Sequence, residues 1–192
     1  CAAPLLFAYP ILRSVYAPAK GAKLQEPLTV VIREATDADF ESIWPIFHEV
    51  AVAGDTYAYD PHTSKEEAFR QWMTLPNRTF IAVEGDQVLG TYYLKTNHPG
   101  PGSHVCNCGY MVSGAARGRG LATAMCEHSQ SAALAMGYKA MQFNLVVETN
   151  EGAVRLWQKL GFAIVGTIPK AFEHVQYGYV GAHVMFKWLA ED

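Results

Sequence analysis

The run Ser113–Tyr138, SGAARGRGLATAMCEHSQSAALAMGY, constrains this chain more than any other stretch. A strand-like segment, HVCNCGYMV, ends at Val112, and an alanine-rich helical segment begins near Gly120. Between them lie Gly114, Gly118 and Gly120 together with Arg117 and Arg119. Glycine admits backbone conformations and close approaches that a Cβ forbids. A helix N-terminus adds unpaired N–H groups and the positive end of the helix dipole. Such a junction can receive an anion of pyrophosphate size. The Gly-Lys-Ser/Thr ending of a Walker loop is absent. Only part of a G-x-G-x-x-G dinucleotide fingerprint is present, and it sits late in the chain. A glycine-rich turn with solvated arginines is the alternative reading.

The flanking pattern places this junction in a mixed α/β (α+β) domain. A strand from Leu28 to Arg33 precedes a helix capped by Thr36 or Asp37, with Phe40, Ile43, Trp44 and Phe47 at helical spacing. Ser64 and Glu67 form a capping-box pattern for a second, short helix. TFIAVEGDQVLGTYYLKT reads as a hairpin turning at Glu84-Gly85-Asp86. KAMQFNLVV is a strand, and NEGAVRLWQKLGF is a helix closed by Gly161. AIVGTI and AHVMFKWL are the last strands, separated by the loop PKAFEHVQYGYVG. The order β-α-α-β-β-β-α-β-α-β-β predicts a sheet with helices on its faces.

Composition narrows the function classes. The 192 residues, half of them hydrophobic and 17% charged, fit one domain, 28–192, preceded by an appendage, 1–27. The apolar appendage is broken by Pro10 and Arg13, so it is not expected to span a bilayer. Its first residue, Cys1, is read as a truncated or recombinant start rather than that of a mature lipoprotein. With a net charge of −3 and no Lys/Arg run longer than two residues, nucleic acid is not an expected partner. Cys1, Cys106, Cys108 and Cys126 form no disulfide framework, which suits a reducing, cytoplasmic compartment. His104, Cys106 and Cys108 lie collinear on one strand face and do not close around a metal, so none is expected. His174, near the C-terminal strands, is read as a surface residue, with a place at the substrate mouth as the alternative.

Arg117-Gly118-Arg119-Gly120-Leu121-Ala122 resembles the R/Q-x-x-G-x-G/A signature of the GNAT superfamily of acetyl-CoA-dependent N-acetyltransferases. Asn150-x-x-Ala153-x-x-Leu156-Trp157-x-x-Leu160-Gly161-Phe162 resembles the second pattern of that family, and the likeness runs from about Val30 to Leu189. It implies a mostly antiparallel, twisted sheet of about seven strands in which HVCNCGYMV and KAMQFNLVV are parallel neighbours that splay apart. It implies that Arg117 and the backbone of Gly118, Arg119, Gly120, Leu121, Ala122 and Thr123 hold the pyrophosphate of coenzyme A. Tyr110, Met111 and Val112 would pair with the pantetheine arm, and Asn150 would bond it. Many members are dimers, and the apolar C-terminal strand is the segment by which this chain would pair. The chain departs from the family at Trp157, where many members carry the tyrosine that protonates the departing thiolate; Tyr110, Tyr177, Tyr179 or a water would replace it.

Asn107 and Asn144 read as buried amides in apolar strands, Asn107 sharing a face with Gly109 and Met111 and Asn144 with Val146. Either is read alone as a satisfied structural amide, but together they invite a functional reading. With Asn150 and Trp157 their spacing resembles the yeast-type subfamily that acetylates azetidine-2-carboxylate and related proline analogues. The segment GDTYAYD, with Asp55, Thr56 and Tyr57, is similar to that subfamily's substrate loop. The likeness implies a small amino-acid acceptor, with Asn107 and Asn144 orienting substrate and thioester and the Asn144–Leu145 backbone receiving a carboxylate. Direct transfer in a ternary complex is expected, with Asp55 or Glu148 as base and an N–H near Met111 together with the Asn107 amide as oxyanion donors. A protein N-acetyltransferase and a non-catalytic acyl-CoA-binding module are the rival expectations.

Overall fold

The computed structural model describes residues 30–191, so the expected 1–27 appendage lies outside the described residues. Seven strands form one sheet: β1 Val31–Glu34, β2 Arg78–Glu84, β3 Gln87–Thr96, β4 Val105–Val112, β5 Ala140–Val147, β6 Ala163–His174 and β7 Gly178–Trp188. Their order is β1-β2-β3-β4-β5-β7-β6. All neighbours are antiparallel except β4 and β5. That parallel pair is joined through α3, Leu121–Ala135, as a crossover between parallel strands requires.

The helices α1 (Phe40–Ala53) and α2 (Lys65–Phe69) cover one face of the sheet, and α3 and α4 (Glu151–Lys159) cover the other. Local chemistry sets the ends of these helices. Asp39 accepts from the Thr36 N–H and hydroxyl and pairs with Arg33, fixing the approach to α1. Ser64 Oγ accepts the Glu67 N–H as expected, but the Glu67 carboxylate turns to Arg70 and Gln71 and leaves the capping box half made. After α2 the chain widens into a π turn, Arg70–Thr74, with Leu75 N–H bonded to Arg70 O. The turn seats Trp72 in the core, where its indole N–H donates to Thr91 Oγ1.

Three expectations need correction. PKAFEHVQYGYVG is not a loop: β6 runs through it to His174 and β7 resumes at Gly178. Pro169 survives because β6 is a sheet edge, where a missing N–H costs no ladder bond, and the register shifts beside it between Ile168 and Phe172. β7, the C-terminal strand, pairs with β5 on one side and β6 on the other, so it offers no free edge to a second copy. Asn144 is not buried, nor does it share a face with Val146: one extra residue in β5 between Phe143 and Val146 turns Val146 into the core and leaves Asn144 exposed.

Candidate active site

β4 and β5 pair only at Val105/Ala140, Cys106/Met141 and Asn107/Gln142, and beyond that they separate. The gap opens a cavity of about 670 Å³ between the two strands. Asn107 sits at the apex. Its Nδ2 donates to Gln142 O at 2.9 Å and its Oδ1 accepts from the Tyr93 hydroxyl at 3.0 Å. The amide therefore pins the last paired residues of the two strands while lining the cavity.

The open edge of β4 follows from register. Ser113 N–H bonds Leu89 O, and β3 and β4 stay in register through Met111/Thr91 and Gly109/Tyr93. Bonded pairs recur every second residue in an antiparallel ladder. Met111 and Gly109 thus spend their N–H and C=O groups on β3, and Met111 buries its side chain against α1. The donor expected at Met111 faces the wrong edge. Tyr110 and Val112 are the residues whose backbone faces the gap. Tyr57 crosses to this edge, its hydroxyl donating to Tyr110 O at 2.8 Å.

At the Val112 end the chain enters the glycine–arginine turn. Gly118 and Gly120 both hold left-handed conformations, with φ of 74° and 81°. A Cβ on either would meet nothing within 4 Å, so these glycines are required by conformation and not by crowding. Gly120 caps α3 without a side-chain bond, and the first bond onto the cap is Ala124 N–H to Gly120 O. The N–H groups of Leu121, Ala122 and Thr123 are left without helical acceptors. The two arginines differ. Arg119 is held by Glu84 at 2.6 Å in a partly buried pair, whereas Arg117 lines the cavity and meets Glu49 at 3.5 Å with both side chains largely in solvent.

The opposite end is walled by aromatics. Tyr57 stacks on Tyr59 at 5.5 Å, and Trp72 meets both edge-on and Tyr93 at 4.8 Å. Burial pushes the Tyr59 phenol up to about 12 and Tyr57 and Tyr93 further above the ordinary range, so these rings act as neutral donors. Gly109 lies under them: a Cβ there would stand 2.8 Å from the Tyr93 ring and 3.1 Å from the Tyr57 hydroxyl. Tyr93 and Lys95 join the site unannounced by the sequence, because only the hairpin register brings them beside Asn107. Asp55, Thr56, Asn144 and Leu145 line this cavity.

Several sequence assignments change. His174 is buried and lines the cavity rather than lying on the surface, with Nδ1 accepting the Gln176 N–H. Glu148 does not line the cavity, and its Oε1 accepts the Gly181 N–H at 2.6 Å. Asn150 caps α4 through the Ala153 N–H and reaches the cavity wall. Of the phenols proposed to replace a tyrosine at 157, Tyr177 and Tyr179 are exposed outside the cavity. Tyr110 sends its hydroxyl away from the gap to Ser129 at 2.6 Å. Trp157 is 8% exposed, lies 5.0 Å from the Tyr110 ring, and lines the cavity. Cys106 and Cys108 are core thiols; burial raises Cys106 to about 12 and Cys108 well above its ordinary range, which leaves no thiolate nucleophile.

The chain has known counterparts. Residues 39–162 match the model of the acetyltransferase (GNAT) family. Over 98 residues it is 38% identical to N-acetyltransferase aca1 of Schizosaccharomyces pombe, covering 50% of this chain and 47% of that protein. It spans under half the length of the curated relatives it matches. A GCN5-related N-acetyltransferase from Kribbella flavida superimposes with a TM-score of 0.79 at 49% identity, covering 83% of this chain and 98% of that one. A phosphinothricin acetyltransferase from Sinorhizobium meliloti in complex with acetyl-CoA shares the fold at 20% identity, with a TM-score of 0.74 and coverage of 84% and 89%. Among the described residues no helix is long and apolar enough to cross a membrane. With both motifs at the two sides of a splayed β4–β5 pair and the family model spanning them, this chain belongs to the acetyltransferase (GNAT) family.

Proposed function

We propose that the protein is an acetyl-CoA-dependent N-acetyltransferase whose acceptor is the amine of a small molecule, an amino acid or a proline- or azetidine-like analogue. The observation that carries the reading is the gap between β4 and β5. It has a backbone edge without a strand partner on one side, uncapped helix N–H groups at one end, and a closed aromatic wall at the other. Those features fit the cofactor's chemistry: an extended amide-bearing arm suits an open strand edge, and a pyrophosphate suits the α3 N-terminus.

Acetyl-CoA would supply the activated acyl group. Arg117 and the backbone from Gly118 to Thr123 would hold its phosphates, and Tyr110, Val112 and Asn150 its arm. The Tyr110 N–H, on the open edge, is the donor available to the acyl oxygen as negative charge grows there. Asn107 acts as a positioning residue by fixing the angle between the strands. Asp55, which has no ion-pair or hydrogen-bond partner among the described residues, would take the proton of the acceptor amine. An indole N–H donates a hydrogen bond but yields no proton, so the leaving thiolate draws its proton from water. The aromatic wall closes the acceptor end and favours a small amine over a polypeptide. A thiol-release assay with acetyl-CoA against amino acids, proline analogues, polyamines and short peptides tests this. Turnover confined to peptides, or absent with every amine, would overturn it.

A further inference from the structure

Resting on that reading, we propose that Lys95 binds a carboxylate on the acceptor, so that the preferred substrate is a free amino or imino acid and not a simple amine. Lys95 lines the cavity, and its Nζ stands 5.3 Å from the centroid of the Tyr93 ring. It faces Asn107 across the β3–β4 register. Among the described residues it enters no ion pair, whereas the other strong base of the cavity wall, Arg117, is met by Glu49. An ammonium set against an aromatic face and lacking a counterion is a ready anion site.

The anion it serves is not the pyrophosphate. Lys95 pairs with Asn107 and Gly90 with Val112, so five residues of β4, about 17 Å at strand rise, separate Lys95 from the anion turn. A second element converges on the same end. Immediately past β3, Asn97 Oδ1 accepts from Asn144 Nδ2 at 2.8 Å. That bond ties the chain beside Lys95 to the β5 bulge, whose Asn144–Leu145 backbone leaves the β7 ladder and lines the cavity. An acceptor carboxylate between Lys95 Nζ and this bulge would leave its amine within the cavity that Asp55 also lines. His174 adds a neutral donor, because the tautomer whose Nδ1 accepts from Gln176 carries its proton on Nε2. One unpaired cation and one unpaired carboxylate on the wall of one small cavity match a zwitterion.

The test pairs an acid with its amide. Thiol release is measured for L-proline against L-prolinamide and L-alanine against L-alaninamide, in wild type, Lys95→Met and Lys95→Arg. Methionine keeps the apolar stem along Tyr93, and arginine keeps the charge. Wild type is expected to favour at least one acid over its amide by tenfold or more in kcat/KM. Lys95→Met abolishes the preference mainly through KM, Lys95→Arg restores it in part, and acetyl-CoA affinity is unchanged in both. An unchanged preference in Lys95→Met, or a wild type that prefers the amides, overturns the proposal. Should wild type release no thiol with any of the four, the acetyltransferase reading fails only if every amine of the wider panel is silent too, and Lys95 is in either case judged by calorimetry of L-proline and L-alanine titrated into the coenzyme A complex. Binding weakened tenfold in Lys95→Met supports the site; equal binding, or no binding to wild type, overturns it.

Discussion

Replacing Asn107 with alanine separates the two readings of a polar residue in an apolar strand. The substitution removes the acceptor of the Tyr93 hydroxyl and the donor to Gln142 O, and both Asn107 and Tyr93 are buried. Each orphaned buried group costs about 1–3 kcal/mol, and water admitted from the cavity keeps the sum toward the lower half, about 2–4 kcal/mol. For a domain of this size that is a fall in melting temperature of about 4–16 °C. Asn144→Ala removes two side-chain hydrogen bonds, to Gln142 and Asn97, at an exposed residue and is expected to cost less than about 1 kcal/mol. Urea titration and thermal melting, each paired with thiol release per folded molecule, read the difference. Turnover is expected to fall more than tenfold in both, with a stability loss confined to Asn107→Ala. An Asn107→Ala variant that melts with wild type would refute the pinning role. An Asn144→Ala variant with normal turnover would remove Asn144 from the site.

Three other perturbations have expected outcomes. Gly109→Ala drives a Cβ into the Tyr93 ring and the Tyr57 hydroxyl, costing about 1–3 kcal/mol and raising the acceptor KM; unchanged melting and KM would contradict that crowding. Trp157→Phe is expected to keep turnover within tenfold per folded molecule, and Trp157→Tyr raises it if thiolate protonation limits the rate; a hundredfold loss in the phenylalanine variant would give the indole N–H a direct part. The Arg33 guanidinium holds the Asp39 carboxyl well below its ordinary range, so this pair stabilises the fold above the unfolded carboxylate's pKa, about 3.9, and the contribution is lost as pH falls toward the depressed folded value. Asp39→Asn is accordingly expected to be less stable than wild type by about 1 kcal/mol at pH 7, with the gap closing only below about pH 4 in denaturant titrations; a gap independent of pH would refute the pairing.

Much of the scaffold was legible because local signals agreed with the global fold. Ser64 and the Gly85 turn act where their residue types predict, and the glycine–arginine turn marks the β4–α3 junction. The family pattern implied the parallel splayed pair, and the register bears it out. What was illegible depended on pairing. Whether the Met111 or Tyr110 backbone faces the gap is fixed by the β3 register, which no property of either side chain announces. The β5 bulge parted Asn144 from Val146 because one inserted residue flips every later side chain, which sends Val146 into the core and leaves Asn144 outside it. The segment PKAFEHVQYGYVG, which opens at Pro169, reads as a loop because an edge strand that tolerates proline cannot be told from a central one before the sheet is assembled. Tyr93 and Lys95 carried no motif, and they enter the site through the geometry of an ordinary hairpin.

The central claim is that the α3 N-terminal turn and the open β4 edge together bind acetyl-CoA. Gly120 tests it most directly: its φ of 81° and the empty space around a Cβ make glutamate there a source of both backbone strain and negative charge at the anion end. Calorimetric titration of acetyl-CoA into wild type and Gly120→Glu is predicted to give saturable one-to-one binding that the substitution weakens by more than tenfold, about 1.4 kcal/mol or more. No binding to wild type, or equal affinity in a folded Gly120→Glu, would contradict it.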